Sequence, residues 1–125
     1  MKKIIVCFGT RPEAIKLAPL IKVLQKNFYL KICVTGQHRE MLDQVLKLFK
    51  IIPDYHLDLM KPNQNLSNLT GKVLNGVTDI LLQDEFDWVL VQGDTTTAAG
   101  CAFAASISGV TVAPVSYTHL RAHET

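Results

Sequence analysis

Several function classes are excluded by what the chain does not contain. There is no G-x-G-x-x-G and no G-x-x-x-x-G-K-[ST]. The glycine cradles that let a pyrophosphate or triphosphate lie against backbone are therefore missing, which argues against NAD as a diffusible cosubstrate and against ordinary ATP hydrolysis. No Cys-x-x-Cys occurs, and the three cysteines, Cys7, Cys33 and Cys101, are odd in number, widely spaced and set in apolar runs. They read as small buried hydrophobes in a reducing compartment. A net charge of +2 is too small for a general nucleic-acid or membrane-surface role. No apolar run is long enough to span a bilayer. The N-terminus has no secretory h-region, because the apolar stretch Ile4–Phe8 meets Gly9, Arg11 and Glu13. The expected location is the cytoplasm. Repeats, linkers and low-complexity segments are also absent, so the 125 residues are expected to form one domain with an ordinary core.

What is present is an alternation of short apolar runs and amphipathic segments. KIIVCF (3–8) is a β-branched run suited to a strand buried on both faces. Leu17, Leu20, Ile21 and Leu24 form a helical stripe over 13–27. LKICVT (30–35) is a second strand, and 39–49 is a helix with Met41 or Leu42, Val45, Leu48 and Phe49 expected inward. YHLDLM (55–60) is a short strand, and 66–85 is a long helix that Gly71 and Gly76 each weaken by about 1 kcal/mol against Ala. DWVLVQ (87–92) is a strand, 95–108 is a helix of small residues, and 109–113 begins a fifth strand that Pro114 is expected to interrupt. Strand–helix alternation with short connections requires crossovers, hence a parallel sheet covered on both faces. The fold class is α/β, a doubly wound, Rossmann-like parallel sheet.

In such sheets ligands bind beyond the carboxyl ends of the strands. GTRPE stands at the first of these ends. Thr10 and Glu13 have capping-box spacing, and Pro12 falls in the first helical turn, where its missing N–H costs nothing. A cap does not need Arg11, whose charge opposes the helix dipole by about 0.3–1 kcal/mol. An anion bound there reverses that sign, since free amides, the dipole and a guanidinium fork then converge on one phosphate. Lys16, about one and a half turns on, adds a point charge. At the end of the fourth strand, Asp94 precedes three threonines. It can serve as N-cap of the next helix, or as a carboxylate facing the crevice for acid or base work. His38, at the end of the second strand, is a candidate for lining the same cleft. His119 and His123 have helical metal-ligand spacing but no third ligand, and no metal is assigned.

With FGTRPEAIKLAPLI, VTGQH and VQGDTTT in view, residues 1 to about 113 resemble the N-terminal part of bacterial non-hydrolysing UDP-N-acetylglucosamine 2-epimerases. The resemblance implies the N-terminal half of a two-domain, glycosyltransferase-B-like architecture with the site in the cleft. It implies interconversion of UDP-GlcNAc and UDP-ManNAc by elimination of UDP to a bound 2-acetamidoglucal, followed by re-addition. It implies no metal and no cofactor, and a homodimeric parent. Arg11 and Lys16 match the family's substrate-contacting positions, and Asp94 matches its catalytic aspartate.

The chain also departs from the family. After the fifth strand the family reads H-V-E-A-G-L-R, whereas this sequence reads Pro114, Val115, Ser116, Tyr117. The family's glutamate is missing, and 114–125 resembles a foreign, adapter-derived tail. The expectation is an epimerase segment inactive by itself. Alternatives are a related nucleotide-sugar glycosyltransferase, a hydrolysing epimerase, or a free-standing flavodoxin-like binding module.

Overall fold

A computed structural model describes residues 1–36, 39–59, 64–92 and 95–115. In chain order the elements are β1 (Lys3–Phe8), α1 (Arg11–Asn27), β2 (Tyr29–Val34), α2 (Arg39–Leu48), β3 (Tyr55–His56), α3 (Leu66–Gln83), β4 (Trp88–Gln92), α4 (Thr96–Ser108) and β5 (Thr111–Val115). The strands form one parallel sheet in the order β3-β2-β1-β4-β5. The doubly wound α/β fold read from the alternation is thus the fold observed. The chain winds outward from β1 to β3, then returns to place β4 on the other flank of β1. The reversal of winding lies between β1 and β4.

Both faces of β1 are buried, which explains its uninterrupted apolar run. Ile4, Val6 and Phe8 pack with Leu17 and Ile21 of α1 and Leu42 of α2. Ile5 and Cys7 pack with Val73 and Val77 of α3 and with Cys101 and Ala104 of α4. Each large side chain so enclosed contributes about 1.5–3 kcal/mol relative to exposure. Gly100 permits the close approach of α3 and α4, since a Cβ there would lie 2.7 Å from Cγ1 of Val73.

The three cysteines converge in this second layer. Cys7 and Cys33 are register partners on β1 and β2, and Cys101 joins them from α4. All are free and buried. Hydrogen bonding to Cys101 and then Cys33, with burial behind them, pushes the Cys7 thiol well above its ordinary pKa. It is held as an uncharged, unreactive group.

Three expectations are corrected. In α2, Leu42, Val45 and Leu46 are buried, whereas Leu48 is 76% exposed. Six residues beyond Leu42 is about 240° around the helix, off the stripe. The side chain of Met41 lies outside the described residues. The strand expected over 55–60 is confined to Tyr55–His56. Leu57 and Leu59 still donate to the carbonyls of Val34 and Thr35 at 2.9 and 2.8 Å, but Asp58 between them has φ of 52° and turns the chain. Gly36, φ 95°, lies against that turn so closely that a Cβ would sit 2.4 Å from the Asp58 Cα. Finally, β5 is not interrupted at Pro114: Pro114 and Val115 pair with Val91 and Gln92. β5 ends the row of strands, and proline is tolerated where one side of a strand has no ladder to donate to.

No helix among the described residues is long and apolar enough to cross a membrane.

Candidate functional site

Because β1 and β4 are paired, parallel neighbours, the turns that follow them open on one rim, side by side at the winding reversal. α1 begins with Thr10 as N-cap, whose hydroxyl accepts from the Glu13 amide at 3.3 Å. Arg11 is the first helical residue, and its side chain is exposed, as is that of Lys16. Neither cation has an ion pair or side-chain hydrogen bond with another described residue. Arg11 at the positive end of the helix dipole, with Lys16 about one and a half turns on, forms an anion-attracting surface.

Glu13 does more than close a capping box. It is only 3% exposed. Its Oε1 accepts from the Gly9 amide at 3.3 Å and the Thr10 hydroxyl at 2.9 Å. Its Oε2 accepts from the hydroxyl of Thr95, beyond the end of β4, at 3.2 Å. The usual reach of such a glutamate is to the N-cap amide of its own helix. Here the reach extends one residue further back and across to a second helix.

At the β4 end, the N-cap of α4 is Thr95, which accepts from the Ala98 amide at 3.0 Å. The cap position of α4 is thus taken by Thr95. Thr97 is buried, with its hydroxyl 3.3 Å from that of Thr35 just beyond β2. Thr35 in turn donates its amide to the Phe8 carbonyl at 3.0 Å. The threonines after Asp94 are thus anchors: one caps α4 and meets α1, another joins the end of β2. Asp94 itself and His38 lie outside the described residues. So do His119 and His123. The chain places Asp94 immediately before Thr95, and His38 two residues after Gly36.

Sequence reasoning singled out Arg11 and Lys16 and gave the Thr10–Glu13 box that the structure contains, but missed the Glu13–Thr95 and Thr35–Thr97 contacts. The available signal was joint: a strand order that brings two polar strand ends together implies that the glutamate of one reaches the hydroxyls of the other.

A cavity of about 640 Å³ is at the opposite rim, lined by Lys3, Asp84, Phe86, Asp87 and Gly109 among others. It suits an anion poorly. α3 and α4 end there, presenting the negative ends of their dipoles. The Lys3 ammonium is committed to an ion pair with Asp84. That contact, and then the Glu85 amide, holds the Asp84 carboxyl below its ordinary pKa.

Comparison with known proteins agrees with this fold. The family model described as UDP-N-acetylglucosamine 2-epimerase matches residues 22–122. The UDP-N-acetylglucosamine 2-epimerase of Escherichia coli K12 is 52% identical over 115 residues, 90% of this chain and 31% of that protein. The crystal structure of UDP-GlcNAc 2-epimerase from Neisseria meningitidis bound to UDP-GlcNAc superposes with a TM-score of 0.86 at 50% identity, over 90% of this chain and 31% of that one. The enzyme from Methanocaldococcus jannaschii in complex with UDP-GlcNAc and UDP gives 0.83 at 36% identity, over 92% and 32%. The chain therefore spans about 30% of the length of the relatives it matches. By the extent of these matches, it belongs to the UDP-N-acetylglucosamine 2-epimerase family.

Proposed function

We propose that this chain is the N-terminal, Rossmann-like part of a two-domain enzyme that interconverts UDP-GlcNAc and UDP-ManNAc. In this reading Arg11 and Lys16 grip the diphosphate, His38 lines the cleft, and Asp94 handles the proton at C2 of the sugar. The observation that carries it is the pair of exposed cations on α1, without partners among the described residues, on the helix that starts at the rim where β1 and β4 end together.

The chemistry fits those residues. A C2 proton with no adjacent carbonyl is weakly acidic, so departure of the leaving group must supply much of the drive. The C1–O bond breaks as UDP leaves with the electron pair, and the C2 proton goes to a carboxylate, leaving the 2-acetamidoglucal. Delivery of a solvent-exchanged proton to the other face of C2 and re-addition of UDP at C1 complete the epimerisation. Cations on the diphosphate stabilise the charge that develops on UDP, and carboxylates on the two faces of the sugar take one proton and supply another that has exchanged with solvent.

Residues 1–113 are the enzyme's own domain in this reading, and the remainder is a foreign tail. In this reading the segment by itself is inactive. The parent is a cytoplasmic homodimer supplying precursors of cell-surface polysaccharide. Genomic sequence that continues past codon 113 with H-V-E-A-G supports the foreign tail, and a stop after Thr125 contradicts it.

The decisive experiment incubates the full-length protein with UDP-GlcNAc in heavy water. Deuterium at C2 of the UDP-ManNAc formed is the expected result. UDP-ManNAc free of deuterium, or no UDP-ManNAc, rejects the proposal.

A further inference from the structure

A buried carboxylate is costly unless donors replace its lost water. Glu13 meets this cost without a cation: its donors are one amide and two hydroxyls. Those donors come from two different strand ends. Capping α1 requires only the bonds of Oε1 and the Glu13 amide. The bond from Oε2 to Thr95 adds nothing to that cap, yet it places the glutamate against the first residue of the other turn.

The hydroxyl of Thr95 has a single proton. Its oxygen already accepts from Ala98, and its proton is directed to Glu13 at 3.2 Å, with the Gln92 carbonyl as a longer alternative at 3.4 Å. The start of α4 is fixed a second time by Thr97 on Thr35. One side of the Glu13 tie thus adjoins Arg11, which follows Thr10. The other adjoins Asp94, which precedes Thr95.

We infer that Glu13 is a positioning residue whose carboxylate, acting through the Thr95 hydroxyl, sets the spacing between the start of α1, which carries Arg11, and the start of α4, which Asp94 precedes in the chain. The inference rests on the epimerase reading for the roles of Arg11 and Asp94. Elimination needs the leaving-group cation and the proton acceptor to act on neighbouring atoms of one sugar, and a misplacement of about 1 Å can cost 10²-fold in rate. The device acts on turnover more than on affinity, since Arg11 and Lys16, the proposed diphosphate ligands, both stand on α1 and take no part in the tie.

The test uses the full-length protein with Glu13→Gln, Thr95→Val and Thr95→Ser. Glu13→Gln keeps shape but replaces the acceptor facing Thr95 with a donor. The expected result is a kcat at least tenfold below wild type for Glu13→Gln and Thr95→Val, with the Kd for UDP within threefold. Thr95→Ser, which keeps the hydroxyl, stays within twofold of wild type in kcat. A kcat for Glu13→Gln within twofold of wild type overturns the inference. So does a tenfold loss in Thr95→Ser, or a loss of UDP affinity in proportion to kcat. If Thr95→Val fails to fold, Glu13→Gln and Thr95→Ser decide between them. A wild type that forms no UDP-ManNAc rejects the epimerase reading and this one with it. A wild type that turns over beside an unaffected Glu13→Gln rejects this one alone.

Discussion

The Glu13 carboxylate accepts a hydrogen bond from the Thr95 hydroxyl at 3.2 Å, although 82 positions separate the two residues in the chain. That contact stands where the sheet reverses its winding. It joins the two stretches of sequence, GTRPE and GDTTT, that carry the proposed chemistry.

Replacing Arg11 tests the anion site. In the full-length protein, Arg11→Ala is expected to weaken UDP binding by about 1.5–3 kcal/mol, the worth of a hydrogen bond to a charged group. Isothermal titration with UDP measures it directly. Because the guanidinium is exposed and unpartnered, thermal stability should move little, and an unchanged affinity removes Arg11 from the site.

Asp94→Asn separates proton transfer from binding. Loss of a positioned acid–base group should lower kcat by about 10²–10⁴-fold. UDP affinity should persist. Deuterium wash-in at C2, followed by NMR, should fall with kcat. Retained wash-in assigns the proton to another group.

The α3–α4 contact predicts a volume effect. Gly100→Ala drives a methyl to 2.7 Å from Val73 Cγ1 and 2.8 Å from its Cβ. Overpacking of this kind costs about 1–3 kcal/mol. Urea unfolding should show the loss, and adding Val73→Ala should recover part of it by vacating that space. Additive losses in the double variant would contradict the packing described.

Acid should weaken the rim opposite the site. The Asp84 carboxyl is held below its ordinary pKa by Lys3 and the Glu85 amide, so the folded state binds its proton less readily than the unfolded chain. The stabilisation is complete above the unfolded carboxylate value of about 3.9, and it is lost as pH falls through the lowered folded value. Urea midpoints from pH 7 to 2 should show wild type above Asp84→Asn by a constant margin down to about pH 5. The margin should then close on further acidification. A margin independent of pH rules out the ion pair as its source.

Much of the fold was legible because its signals are local. β1 reads as a strand buried on both faces from its unbroken apolar run, and α1 from its stripe and its Thr–x–x–Glu start. The errors arose where a distant partner decides the outcome. Leu48 looked inward because a run of apolar residues near a helix end has two plausible stripes, and only the position of the sheet selects Leu42–Val45–Leu46. The third strand looked longer because nothing local marks Asp58 as left-handed, and the close approach of Gly36 sets that turn. The N-cap of α4 falls on Thr95, a residue that can also meet Glu13 once β4 lies beside β1. Arg11 was singled out because it opposes the local dipole, a conflict visible in five letters. The second oxygen of Glu13 was not, because its partner becomes a neighbour only once β4 is laid beside β1.

The thiol trio has an experimental use. An alkylating reagent needs a thiolate that it can reach, and Cys7, Cys33 and Cys101 are sealed between the sheet and its covering helices. Modification must await a breathing event that parts that layer, so the slow uptake of label under native conditions counts such openings and yields their free energy. A nucleotide that binds only the closed molecule will slow the count by mass action. The cysteines thereby become an internal occupancy gauge, readable by mass spectrometry without any introduced probe.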